Sequence, residues 1–136
     1  MANKQLRILI ADSRHTQSLL VERLLNRLGY HRIATASSLD EARILGRCTG
    51  RPFNVLIISG RLIVSEPLDG TALAGVSLNG LIYQSQYLPQ GFDPLTVDGV
   101  ATRLAGPLEL AQLGAFMAQV DPQAAYPRER SLALHP

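Results

Sequence analysis

The sequence predicts one α/β domain of three layers, a five-stranded parallel sheet covered by helices on both faces. Three observations carry that expectation. Residues 54–59 (Asn-Val-Leu-Ile-Ile-Ser) hold an unbroken apolar body between polar ends. Such a run suits a strand buried on both faces better than an alternating, half-wet one. Strand-like and helix-like patterns alternate from residue 6 to residue 59 with short connections, as parallel sheets require. A length of 136 residues and a hydrophobic fraction of 46% give the chain one ordinary core and exclude a disordered chain.

In chain order, residues 6–11 (Leu-Arg-Ile-Leu-Ile-Ala) are rich in β-formers and end at Asp12-Ser13, polar residues suited to a turn or a helix cap. A helix follows, with Leu20, Val21, Leu24, Leu25 and Leu28 read as its apolar face and Gly29 at its C′ position. Residues 32–36 form a weaker strand. Ser38-Leu-Asp-Glu41 fits a capping box and opens a helix that turns Leu39, Ala42 and Leu45 inward. Gly50 and Pro52 then break the chain before the central strand.

Beyond residue 60 the pattern loosens. Residues 61–68 read as loop or extended chain, Asp69-Gly70 as a turn, and residues 71–78 as a short helix weakened by Gly75. Residues 81–83 (Leu-Ile-Tyr) read as a fourth strand. Pro89, Gly91 and Pro94 leave the next helix short or missing, with one turn starting at Asp93. Residues 100–105 are a poor edge strand. Residues 108–120 are a helix with Leu108, Ala111, Ala115, Phe116 and Val120 inward. The domain is thus assigned to residues 1–120, and residues 121–136, with Pro122, Pro127 and alternating charge, to a flexible C-terminal tail.

Composition narrows the function classes. The net charge is only +2, and the basic residues, twelve arginines and one lysine, form no run. Aromatic residues make up 5%, too few for a base-stacking platform, so no nucleic-acid partner is expected. No apolar run approaches the roughly 20 residues that span a bilayer. The N-terminal residues also lack a signal-peptide pattern, so no membrane and a cytoplasmic location are expected. Cys48 is alone, which excludes an intrachain disulfide, and its place at the end of a helical pattern suggests a buried or half-buried thiol.

Five strands alternating with helices in this length form a flavodoxin-like pattern, and the residues themselves resemble the receiver domain of two-component response regulators. Ile8-Leu-Ile-Ala-Asp-Ser13 is similar to the first strand and its acidic pair. The Leu-rich helix ending in Leu28-Gly29-Tyr30 and the Ser37-Ser-Leu-Asp-Glu-Ala42 helix start follow at matching distances. Residues 54–59 match the strand that ends in the phosphoacceptor, Leu68-Asp-Gly70 the turn into the third helix, and Gly106-Pro107-Leu-Glu-Leu110 the stretch before the last helix. The resemblance covers about residues 5–120 and implies the strand order 2-1-3-4-5.

In that family a carboxylate pair after the first strand holds Mg²⁺, an aspartate ending the third accepts a phosphoryl group, and a lysine before the last helix adds a cation. The matching positions here are Asp12 and Ser13, Ser59, and Gly106. Ser85 falls near the Ser/Thr that senses the phosphoryl group, and Arg103 at the aromatic switch position. One carboxylate in place of three is a poor site for a hard divalent cation, and a serine hydroxyl needs an adjacent base to act as a nucleophile. An Asp12/Ser59/His15 triad has nothing to fix its geometry and is rejected. The resemblance with these departures implies a pseudo-receiver lacking the phosphoacceptor aspartate, with no catalytic residue, metal or cofactor.

Two readings of the altered pocket stand side by side. In one, its side chains satisfy one another, with Arg14 or Arg61 pairing with Asp12 in the metal's place. In the other, serines, arginines and helix N–H groups hold an anion or small ligand. The corresponding functions are a phosphorylation-independent protein-interaction module of bacterial-type two-component signalling, not an enzyme, and a ligand- or anion-sensing domain. A third is a phosphorylatable receiver with a displaced acceptor such as Asp12 or Asp69. The expected partner surface, also a route to a homodimer, carries Tyr87, Phe92, Leu95 and Arg103, unless Phe92 and Leu95 fold inward as core.

Overall fold

The computed structural model describes residues 2–48, 50–66, 73–89, 94–95 and 97–123. The elements run β1 (Ile8–Ala11), α1 (His15–Arg27), β2 (Ile33–Ala36), α2 (Leu39–Cys48), β3 (Phe53–Ser59), α3 (Gly60–Ser65), β4 (Ser77–Tyr83), a 3₁₀ turn (Ser85–Tyr87), β5 (Ala101–Arg103) and α4 (Leu110–Val120). The strands form one parallel sheet in the order 2-1-3-4-5, the order expected from the resemblance.

Strand alternation splits the core into two halves, one on each face of the sheet. Leu9, Ala11, Leu56, Ile58 and Ile82 point toward α2 and α3, where they meet Leu39, Ala42, Leu62 and Ile63. Ile8, Ile10, Val55, Ile57, Leu81 and Tyr83 point toward α1 and α4, against Val21, Leu25, Leu113, Phe116 and Met117. Both sides of β1 and β3 are therefore buried, which is why their sequences are continuously apolar.

Local signals account for the helix ends. The chain leaves α1 through a Schellman turn: Gly29 takes φ +100°, Tyr30 N–H donates to the Leu25 carbonyl at 2.9 Å, and Gly29 N–H to Asn26 at 3.0 Å. At α2, Ser38 Oγ accepts from Glu41 N–H at 3.1 Å, while the Glu41 carboxylate reaches back to the Ser37 N–H and hydroxyl. The reciprocal arm of the capping box thus falls one residue earlier than a strict Ser-x-x-Glu reading places it.

Several sequence expectations are corrected. Residues 60–65 are helical rather than extended, although Ile63 and Val64 are β-branched. Ser59 caps this turn by accepting from Arg61 N–H at 3.1 Å, and burial of Leu62 and Ile63 outweighs the weak helix propensity of Ile63 and Val64. In the described part of the helix expected over residues 71–78, residues 73–75 form a turn instead and β4 begins at Ser77. Gly75 at φ +78° makes that turn, and the interior glycine of β4, Gly80, leaves room for Leu95.

Leu20 is 48% exposed, because Ser18, Val21 and Leu25 form the inner face of α1. On α4, Leu113, Phe116 and Met117 are buried, whereas Ala111 and Ala115 face solvent. Cys48 is exposed rather than buried.

Leu95, proposed above for a partner surface, is 6% exposed and packs over Gly80, so it belongs to the core as the inward alternative had it. Phe92, the helical turn at Asp93 and the Asp69-Gly70 turn lie outside the described residues, as does the tail beyond Gln123. Asp121 does not belong to a tail. It is fully buried, and its carboxylate accepts from Tyr30 Oη at 2.6 Å, Asn3 N–H at 2.9 Å and Gln123 N–H at 3.0 Å. Between β4 and β5 the described residues contain one 3₁₀ turn and no α-helix. Among the described residues no helix is long and apolar enough to cross a membrane.

Candidate functional site at the carboxyl ends of the strands

Parallel strands bring residues that follow β1, β3 and β4 to one edge of the sheet, the edge where open α/β folds place their sites. Asp12 leaves β1 and is 2% exposed, Ser59 ends β3 and is fully buried, and Gln84 directly follows β4. The register pairs Ser59 with Tyr83, so Gln84, rather than Ser85, is the residue that reaches the pocket from β4.

A guanidinium sits at the centre of this cluster. Arg14 grips Asp12 through both carboxylate oxygens, Nε to Oδ1 at 3.1 Å and Nη2 to Oδ2 at 2.9 Å, while its backbone N–H donates to Oδ1 at 2.8 Å. The same Nη2 donates to Gln84 Oε1 at 2.6 Å, and Ser59 Oγ donates to that oxygen at 3.4 Å. Tyr83 Oη closes the other side, donating to Asp12 Oδ2 at 2.5 Å. The bidentate geometry is the strong form of an Arg–carboxylate pair. The Arg14 pKa is raised above its ordinary value, first by the hydrogen bond to Asp12. Burial and the bond to Asp12 push the Tyr83 phenol well above the usual tyrosine range, so it stays a protonated donor at neutral pH.

Of the two arginines considered as partners for Asp12, Arg14 takes the role. Arg61 instead lies over the Tyr87 ring, 5.5 Å from its centroid. Ser13 is exposed and lines a cleft of about 110 Å³ with Asp12, His15 and Glu41. Ser85 lies in the 3₁₀ turn, its backbone N–H donating to Leu104 at 2.9 Å. The Gly106 carbonyl accepts from Gln84 N–H at 2.8 Å, which anchors the end of β4. Tyr87 and Arg103 are exposed. His15 opens α1 and is also exposed, whereas Ser59 is buried.

The donor set does not fit Mg²⁺. That ion needs oxygen ligands in near-octahedral array, usually from more than one carboxylate. Here both oxygens of Asp12 are engaged by Arg14 and Tyr83, the neighbouring positions are serines, and a cationic guanidinium stands beside them. Among the described residues no group of three His, Cys, Asp or Glu side chains could hold a metal ion.

Gly60 sets how closely the start of α3 can approach the chain that leaves β4 under this cluster. A Cβ there would lie 2.4 Å from the Gln84 carbonyl oxygen and 3.1 Å from Ser85 Cα, whereas at Gly106 it would meet nothing within 4 Å. Gly60→Ala is therefore expected to destabilise the fold by about 2 kcal/mol by forcing backbone apart, and Gly106→Ala to change little. Urea denaturation of the two variants checks this contrast.

Reasoning from sequence missed Gln84 and Tyr83. The tyrosine reads as strand core, and nothing in the chain marks a phenol that turns its hydroxyl to a carboxylate 71 positions away.

No profile of a known family matches this sequence, and no curated protein matches it. Among solved structures, the chain is similar to the receiver domain of a sensor histidine kinase from Pseudomonas aeruginosa, a structure with a magnesium ion coordinated in its active-site cleft. The identity is 20%, the TM-score 0.60, and the match covers 85% of this chain and 97% of that one. It is also similar to the N-terminal domain of a response regulator/sensory box/GGDEF three-domain protein from Carboxydothermus hydrogenoformans. Here the identity is 17%, the TM-score 0.59, and the coverage 93% and 98%. With its 2-1-3-4-5 parallel sheet and helices on both faces, this chain has the flavodoxin-like fold of response-regulator receiver domains.

Proposed function

We propose that this chain is a phosphorylation-independent pseudo-receiver, a non-enzymatic protein-interaction module of bacterial-type two-component signalling. The observation that carries the reading is the Arg14 guanidinium on both oxygens of Asp12, held in turn by Gln84. A cation supplied by the chain neutralises the carboxylate without an external ion, and Ser59 supplies no carboxylate to accept a phosphoryl group. Constitutive pairing would hold the strand ends in one state, and a protein partner would then read a fixed surface. Tyr87, stacked with Arg61, and Arg103 stand exposed near that end of the sheet, and self-association through them is one form such binding would take.

The ligand-sensing alternative finds less support at this edge. The cleft of about 110 Å³ is well below the roughly 300 Å³ where small-molecule sites begin, and Glu41 in its wall repels anions. Incubation with acetyl phosphate and Mg²⁺, followed by intact-mass measurement, is expected to show no gain of a phosphoryl group. A stoichiometric gain would overturn the proposal and point to a displaced acceptor. For the interaction role, Tyr87→Ala combined with Arg103→Glu is expected to abolish capture of the native partner from the source cell while leaving the fold intact. Undiminished capture of the same protein would remove this surface from the proposal.

A further inference from the structure

The opposite edge of the sheet carries a different kind of site. Arg7 lies just before β1, Arg32 just before β2 and Arg51 two residues before β3. These are three adjacent strands, so their amino ends stack the three arginines around one cavity of about 360 Å³. Asn3, Gln5 and Asn54 complete its polar wall. Arg7 and Arg32 also line a second cavity of about 410 Å³, whose other walls include His31 and the apolar Ile33, Leu45 and Phe53. Neither cavity is lined by an aspartate or glutamate among the described residues.

The guanidinium groups of Arg7 and Arg32 are held in place before any ligand arrives. Arg7 Nη1 donates to the Pro52 carbonyl at 3.3 Å, and its guanidinium lies 4.6 Å from the centroid of the Phe53 ring. Arg32 Nη1 donates to Gln5 Oε1 at 2.8 Å. Such anchoring lowers the entropy lost on binding, and the Arg7 and Arg32 forks retain further N–H groups. Clustered like charges also strain the fold slightly. The Arg7 pKa is lowered from its ordinary value first by desolvation and then by Arg51 and Arg32. An anion seated among them would relieve that repulsion.

We propose that the amino-end cavities bind a small organophosphate. Its phosphates sit on Arg7, Arg32 and Arg51, and its ring or apolar body lies in the adjoining cavity against Ile33 and Leu45. Planar, multidentate N–H groups match phosphate oxygens, and both cavities fall within the small-molecule size range. This site is independent of the carboxyl-end cluster, and its failure would leave the pseudo-receiver reading untouched.

Calorimetric titration of the full chain with ATP, tripolyphosphate and adenosine tests it. ATP is expected to bind saturably and about tenfold more tightly than tripolyphosphate, a difference of about 1.4 kcal/mol, with no saturable binding of adenosine. Arg32→Gln and Arg51→Gln, both on exposed side chains that tolerate change, are each expected to weaken ATP binding roughly tenfold or more. The charge-matched control Arg23→Gln, on the exposed face of α1, is expected to leave it unchanged. Absence of saturable ATP binding, ATP binding undiminished in both cleft variants, or adenosine binding as tightly as ATP would each overturn the proposal. Tripolyphosphate binding as tightly as ATP would do the same, since it removes the role of the second cavity.

Discussion

Asp12→Ala is expected to lower stability by about 3 kcal/mol, and the sign of that change is more telling than its size. Removing one partner of a buried ion pair typically costs about 3–5 kcal/mol, because the other is left uncompensated. The lower end applies here, since the Arg14 side chain is 34% exposed and turns partly to water, whereas the Asp12 side chain is 1% exposed. Tyr83 is fully buried and loses the acceptor that it holds at 2.5 Å, which adds the desolvation of an unsatisfied hydroxyl. A domain of this size has roughly 5–15 kcal/mol in total, so the loss should be plain in any denaturation curve.

In a cluster of carboxylates built to hold a metal, the opposite sign is expected, because deleting one relieves like-charge repulsion in the ion-free protein. Urea denaturation in the absence of divalent cations therefore separates the two designs. A variant as stable as its parent, or more so, would show that Arg14 does not satisfy Asp12. Tyr83→Phe in the Asp12→Ala background is expected to restore part of the loss, since it removes the orphaned donor.

The parts of this protein that could be read in advance are those governed by local pattern. The burial of β3 on both faces is written in Val55-Leu-Ile-Ile58, and the exit from α1 in Gly29, which takes the positive φ its position requires. Helix α3 could not be read that way. Its Ile63 and Val64 prefer extended chain, and its helical form depends on the Ser59 cap and on a core that closes over Leu62 and Ile63. The same division holds at the sites. Asp12, Ser59 and Arg14 were legible because each lies beside a recognisable strand end. Gln84 was not, since only the Ser59–Tyr83 register shows that it, and not Ser85, follows the last paired position. The arginine cluster was invisible for a related reason. Arg7, Arg32 and Arg51 are scattered in sequence and become neighbours only when β2, β1 and β3 align their amino ends.

If this scaffold retains the receiver geometry and has lost only the chemistry, restoring three side chains should restore a cation site. The combination Ser13→Asp, Arg14→Asn and Ser59→Asp returns two carboxylates and removes the internal guanidinium. Ser13 already lines the cleft beside Asp12, and position 59 already caps α3 through an oxygen that accepts from Arg61 N–H, a bond an aspartate can keep. In the absence of divalent cations the triple variant should be less stable than its parent, because Asp12 loses its partner and gains like-charged neighbours. Mg²⁺ should then recover stability, by about 1.4 kcal/mol at ten times its dissociation constant, whereas the parent chain should gain nothing. Ser59→Asp alone should also fail to respond, because Arg14 would remain on Asp12 and neutralise the site. Thermal denaturation across a Mg²⁺ series, with Na⁺ matched for ionic strength, distinguishes these outcomes. A Mg²⁺ response in the parent would show that Arg14 yields to the ion. No response in the triple variant would show that the strand ends have drifted from a cation-binding arrangement as well as from its residues.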